Sequence, residues 1–262
     1  MPLPADTPDP PAFSLRLREA TSAAHDQAES QQFIQMLMAG SLNVRALVSL
    51  LESLVPVYTE LEEQMKAHTA DPTVGLFDHR ALDRTERLCA DLECFGSRGQ
   101  MLDSPAVSAY VAAISESAAS PHRLLAHHYT RYLGDLAGGQ AISRLVQRHY
   151  GVSADHLTYY DFSDLGDTHH YRRTYRALLD LVPWTPMEQA EFIAECEVAF
   201  ESNSVLFAEL GERCGLSTGR PSSIGGIASA ETRHAMVLNA PDGGTRRGGQ
   251  GRRGDRGARM PA

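Results

Sequence analysis

Apolar residues recur along this chain at three- and four-residue steps and almost nowhere in strict alternation. Val44, Leu47, Leu51, Leu54, Val55, Tyr58, Leu61 and Met65 line up as one apolar face over about six helical turns. Pro56 falls inside that run and, lacking an amide hydrogen, should kink it. Similar periodic stretches cover about 13–30, 79–95, 105–118, 121–150, 168–182 and 186–213. In "SPAVSAY" and "WTPMEQAEF", Ser104 and Thr185 read as N-caps, each followed by proline at the first helical position. "HYGVSADHL" and "YYDFSDLGD" read as a loop between helices, and no internal repeat is visible. The pattern predicts an all-α fold, a single multi-helix domain over residues 12–214.

Composition changes that picture mainly at the ends. Residues 1–11 are rich in proline and aspartate, with neither a basic start nor an apolar segment, so they read as a flexible leader and not a secretory signal. Residues 215–262 are Gly/Arg-rich with too few apolar side chains for a core, and read as a disordered tail. No run of eighteen apolar residues exists, so no membrane anchor is expected and a cytoplasmic location follows. The net charge is −9, but the segment from Leu216 onward carries eight arginines against three acidic residues, leaving the rest near −14. A body that acidic argues against nucleic acid as a partner. Cys89, Cys94, Cys196 and Cys214 form no CxxC pair and are expected as reduced, buried thiols.

Three stretches carry candidate chemistry. "RYLGDLAGGQAI" places Gly134, Gly138 and Gly139 inside a predicted helix, where each costs about 1 kcal/mol relative to alanine. Taken alone, they fit equally a close helix–helix contact or a backbone pressed against a ligand. In "LRLREATSAAHDQAES", Arg18, His25 and Glu29 are spaced seven and four apart and share a helical face. A carboxylate one turn from a histidine could accept a ring N–H and make the imidazole a better metal donor. It could equally be a surface ion pair. In "HHYRRTYRALLDL", Arg172 and Arg176 are one turn apart, suited to carboxylate recognition or simply to a solvated face, with Arg173 directed elsewhere. Together the three suggest a flat, iron-containing dianion.

On these residues the chain resembles the heme oxygenase family over about residues 15–212. "HHYTRYLGDLAGGQAISRL" is very similar to that family's distal-helix signature, and "LREATSAAHDQAE" resembles its N-terminal helix. "VPVYTELEEQM" and "AFESNSVLFAEL" resemble its second and last helices. The resemblance implies a fold in which heme b, at once cofactor and substrate, lies between a proximal and a distal helix. It implies His25 as the iron ligand with Glu29 as its hydrogen-bond partner, and Gly134 and Gly138 as the glycines over the ring. Asp135 would anchor a water network to which Tyr58 and Arg131 belong. Arg18, Tyr129, Arg172 and Arg176 would meet the propionates, and Phe207 would pack at the heme edge.

The implied reaction cleaves heme with O2 to biliverdin, carbon monoxide and ferrous iron. A neutral histidine ligand pushes less electron density onto iron than a thiolate would. No dinucleotide or flavin fingerprint is visible, so electrons would come from a ferredoxin or a flavoprotein reductase docking on the arginines. The family often has lysine where Arg18 and Arg172 stand, and Pro56 is unexpected in its second helix. Two rivals remain on the sequence. One is a heme carrier or sensor without turnover, which would not need Asp135. The other is a di-iron enzyme, which would want two Glu-x-x-His units on core helices. The chain offers only Glu231–His234, in the presumed tail.

Overall fold

The protein, seen in a computed structural model, is described over residues 11–97 and 103–216. Among these residues there is no strand, and the chain forms α1 (Phe13–Glu29), α2 (Gln32–Met38), α3 (Val44–Ala67), α4 (Thr85–Cys94), α5 (Pro105–Ser117), α6 (Pro121–Tyr150), α7 (Thr168–Leu181) and α8 (Pro186–Arg213). The all-α expectation holds. The leader up to residue 10, the tail from 217 and the Glu231–His234 pair lie outside the described residues.

The ends of the helices follow local chemistry. Asn43 caps α3 through Ala46 N at 3.2 Å, and Ser104 caps α5 through Val107 N at 3.0 Å. Thr185 and Glu188 cap each other's amides at the start of α8. Asp167 accepts from His169 N and His170 N at 2.8 and 3.1 Å to start α7. Gly151, at φ +65°, closes α6 in the left-handed conformation. Pro56 does not break α3, which continues to Ala67.

One predicted boundary shifts, and one helix, α2, is not predicted by the apolar pattern. The 79–95 stretch is a short turn at Arg80–Leu82 followed by α4, because Asp83 is extended between them. The seven residues of α2 are too few to show a period. The apolar face of α3 is buried from Leu47 to Met65, apart from half-buried Val55, while Val44 at its first turn is 39% exposed. Leu50 and Val57, off that face, are buried as well, because α3 packs against α4, α5 and α6 at once.

Helix α8 is the spine, packing against α1, α5 and α6. That arrangement brings α1 and the middle of α6 to the lining of one cavity. The cysteine expectation needs correction. Cys196 is buried, but Cys89, Cys94 and Cys214 are exposed. The first two lie off the inner face of α4, which buries Leu88, Asp91 and Leu92.

Candidate functional site

A cavity of about 190 Å³ opens between α1, α3, α6 and α8. Ile34, Met38, Leu50, Leu54, Ile142 and Leu145 supply apolar wall. His25 and Glu29 face it from α1, Gly134, Asp135 and Gly138 from α6, and Phe207 from α8.

The glycines divide by function. A Cβ built on Gly134 would meet nothing within 4 Å, and one on Gly138 only the tip of Ile142 at 3.7 Å. Helix packing therefore explains neither. Both leave bare backbone facing the cavity. At Gly139 a Cβ would reach the ring of Tyr160 at 3.4 Å. That third glycine is the packing glycine, letting the connection between α6 and α7 lie against the helix.

On α1, His25 Nε2 lies 3.2 Å from Glu29 Oε1, the one-turn pairing the spacing predicts. Its Nδ1 is 3.5 Å from Asp26 Oδ1, at the outer limit of a hydrogen bond. Phe200 meets the imidazole edge-on at 5.7 Å between centroids. Burial raises the Glu29 carboxyl; the His25 charge draws it back and Asp26 adds to the rise. The walls suit a flat apolar ligand carrying a metal. One histidine and bare helix backbone share the lining, and no group of three or more metal-ligating side chains occurs among the described residues. Heme has that chemistry.

Asp135 sits at the centre of a closed polar cluster. Tyr58 donates to its Oδ2, and Tyr159 donates to Oδ1 at 3.0 Å. Arg131 Nη2 is 3.6 Å from the same carboxylate. Arg131 also donates to the Tyr58 oxygen at 2.9 Å, to Tyr159 at 3.1 Å and, through Nη1, to Asn203 Oδ1 at 2.7 Å. Burial raises the Asp135 carboxyl, against the lowering by Arg131 and the two phenols. Desolvation likewise drives Tyr58 and Tyr159 well above the ordinary phenol range.

Arg18 on α1, Tyr129 on α6 and Arg176 on α7 converge. Burial pushes the Tyr129 hydroxyl up to about 12, against the pull of Arg176 and Arg18. Arg172 is half-buried one turn before Arg176, and Arg173 is exposed, as its spacing suggests. None of these four side chains, Arg18, Tyr129, Arg172 and Arg176, is among those lining the cavity. Tyr159 and Asn203 escape sequence reasoning. Tyr159 stands in an irregular stretch with no period, and Asn203 is one polar residue on a helix with apolar positions on several sides.

The heme oxygenase family model matches residues 11–209. The chain is 32% identical over 203 residues to a heme oxygenase of Rhodella violacea, covering 76% of this chain and 86% of that one. It is 31% identical over 210 residues to human heme oxygenase 1, covering 78% and 73%. Its fold is similar to heme oxygenase-1 from Synechocystis in complex with heme, with a TM-score of 0.74 and 30% identity over 78% of this chain and 94% of that one. It is similar also to the heme oxygenase from Leptospira interrogans, with a TM-score of 0.72 and 30% identity over 76% and 99%. A match this long in sequence and fold, around a histidine facing a glycine-walled cavity, makes the conclusion direct: the chain belongs to the heme oxygenase family.

Proposed function

We infer that this protein cleaves heme to biliverdin, carbon monoxide and ferrous iron, using O2 and electrons from outside. The observation that carries the reading is one cavity lined by His25 together with Gly134 and Gly138, where a Cβ would meet nothing at Gly134 and only the tip of Ile142 at Gly138. His25 would hold the iron of heme b, with Glu29 3.2 Å from a ring nitrogen and placed to fix the imidazole's orientation. Gly134 and Gly138 would leave bare main chain, and no side chain of their own, against the bound heme. Phe207 packs the edge.

Asp135 holds and relays protons through ordered water. Its carboxyl, raised by burial, is better matched to delivering a proton near neutrality than an ordinary aspartate. Tyr58 and Arg131 keep it oriented. Arg18, Tyr129 and Arg176, which converge outside the cavity lining, and Arg172 one turn before Arg176 are the groups that would meet the propionates, since a paired guanidinium reads a carboxylate bidentately. These cations also offer a docking face for an acidic ferredoxin or a flavoprotein reductase. No helix among the described residues is long and apolar enough to cross a membrane. We place the activity in the cytoplasm.

Single turnover tests the reading. The protein is loaded with hemin and supplied with electrons by a ferredoxin–reductase pair in air, with catalase present. Loss of the Soret band with biliverdin and carbon monoxide formed is the expected result. A stable ferric or oxygenated spectrum that never proceeds would make the protein a carrier or sensor instead.

A further inference from the structure

We propose that Tyr159 is a positioning residue for Asp135, and that residues 158–161 form a strap that helix α4 holds in place to deliver its phenol. The proposal rests on the reading of Asp135 as the proton-handling carboxylate of the site. The proton count supports it. With Asp135 ionised, Tyr58 donates its one proton to Oδ2 and Tyr159 donates its own to Oδ1 at 3.0 Å. Each phenol oxygen then accepts from Arg131, at 2.9 and 3.1 Å, so the 3.0 Å approach of the two phenols needs no hydrogen between them. One phenol would fix one carboxylate oxygen. Two, from α3 and from the strap, fix the carboxylate plane.

The strap has no α-helix of its own to place it. Asp91 on α4, 0% exposed, accepts from Thr158 N at 2.8 Å, Thr158 Oγ1 at 2.7 Å and Tyr159 N at 2.8 Å. Arg84, just before α4 and 1% exposed, donates to Tyr159 O at 3.2 Å and Asp161 O at 2.6 Å. Its guanidinium lies 4.0 Å over the Phe162 ring. Burying a carboxylate and a guanidinium is costly unless each is satisfied. Here Asp91 is satisfied by the one short connection that carries Tyr159, and Arg84 divides its donors between that connection and the carbonyls of Ala81, Leu82 and Asp83. Gly139 on α6 lets the neighbouring Tyr160 lie against the distal helix.

The test is a carbon-13 NMR titration of the Asp135 carboxyl in the full-length, heme-free chain, comparing wild type with Tyr159→Phe and Asp91→Asn. The groups facing Asp135, besides Tyr159, are Tyr58 from α3, Arg131 from α6 and, at longer range, Arg84, Tyr110 from α5, Tyr132 from α6 and Tyr160. Tyr159→Phe leaves all of them and the ring packing in place. Loss of one donor to an ionised carboxylate should move its midpoint upward by about one pH unit. Asp91→Asn should move it the same way by less. The low-pH limb of heme turnover in Tyr159→Phe should shift upward with it. A midpoint in Tyr159→Phe equal to wild type overturns the role of Tyr159, and an unmoved midpoint in Asp91→Asn overturns the strap. Failure of the heme reading itself would show separately, as a wild-type protein that binds no hemin.

Discussion

Gly134→Ala should make the heme-free protein more stable and the loaded enzyme worse. Gly134 lies in the interior of the thirty-residue α6, where alanine is favoured over glycine by about 1 kcal/mol. Nothing stands within 4 Å of the new methyl group, so no steric term offsets that gain. The expected change in unfolding free energy without heme is a gain of about 0.5–1 kcal/mol, measured by urea denaturation at constant slope. The same methyl group intrudes on the cavity face where bare backbone is needed. A ligand displaced by part of an ångström from productive geometry loses roughly 10–100-fold in rate, so single turnover should slow on that scale. Gly139→Ala is the control. Its methyl group would press on Tyr160 at 3.4 Å, so it should show less of the stability gain. A Gly134→Ala protein that is destabilised by more than about 1 kcal/mol, or one that turns over at the wild-type rate, would refute the assignment of this glycine to the ligand face.

Other outcomes follow from the same geometry. His25→Ala should abolish turnover, with an altered Soret spectrum, and added imidazole should restore the spectrum in part by supplying the missing nitrogen. Arg84→Met keeps the apolar stem but orphans five carbonyl contacts, two of them to buried acceptors. At about 1–3 kcal/mol for each buried acceptor left unpaired, the loss should be about 2–6 kcal/mol, and calorimetry finding less than about 1 kcal/mol would contradict it. Burial holds the His128 imidazole down at about 3, while the unfolded chain takes up that proton near 6.5. Between those values the unfolded state binds the extra proton, so stability should fall by about 1.4 kcal/mol per unit as pH drops below 6.5. His128→Gln, which can still meet the Tyr175 hydroxyl seen at 2.9 Å, should flatten that slope in pH-dependent urea melts.

How much of the site was legible in the sequence depends on which physical rule places each residue. The His25–Glu29 pair is local: four residues on a helix are one turn, so spacing alone puts the ring nitrogen and the carboxylate together. Gly134 and Gly138 show as a cost, two poor helix formers in a good helix, but propensity cannot say what the missing side chains make room for. Only the empty space at their Cβ positions separates a ligand face from the contact that Gly139 makes with Tyr160. The family resemblance carried Asp135, Tyr58 and Arg131, whose partnership crosses more than seventy residues of chain.

The sequence by itself determined the longer helices, the N-caps Ser104 and Thr185 and the apolar face of α3, because these depend on backbone hydrogen bonds and apolar spacing within a few turns. Tertiary structure alone decided what meets across the cavity. Tyr159 reaches Asp135 only because Asp91 on α4 and Arg84 just before it tie down a connection with no period of its own. Arg18, Tyr129 and Arg176 converge only because α1, α6 and α7 pack together. Buried hydrogen bonds and ion pairs between distant segments depend on where the chain returns in space. Local propensity carries no record of that.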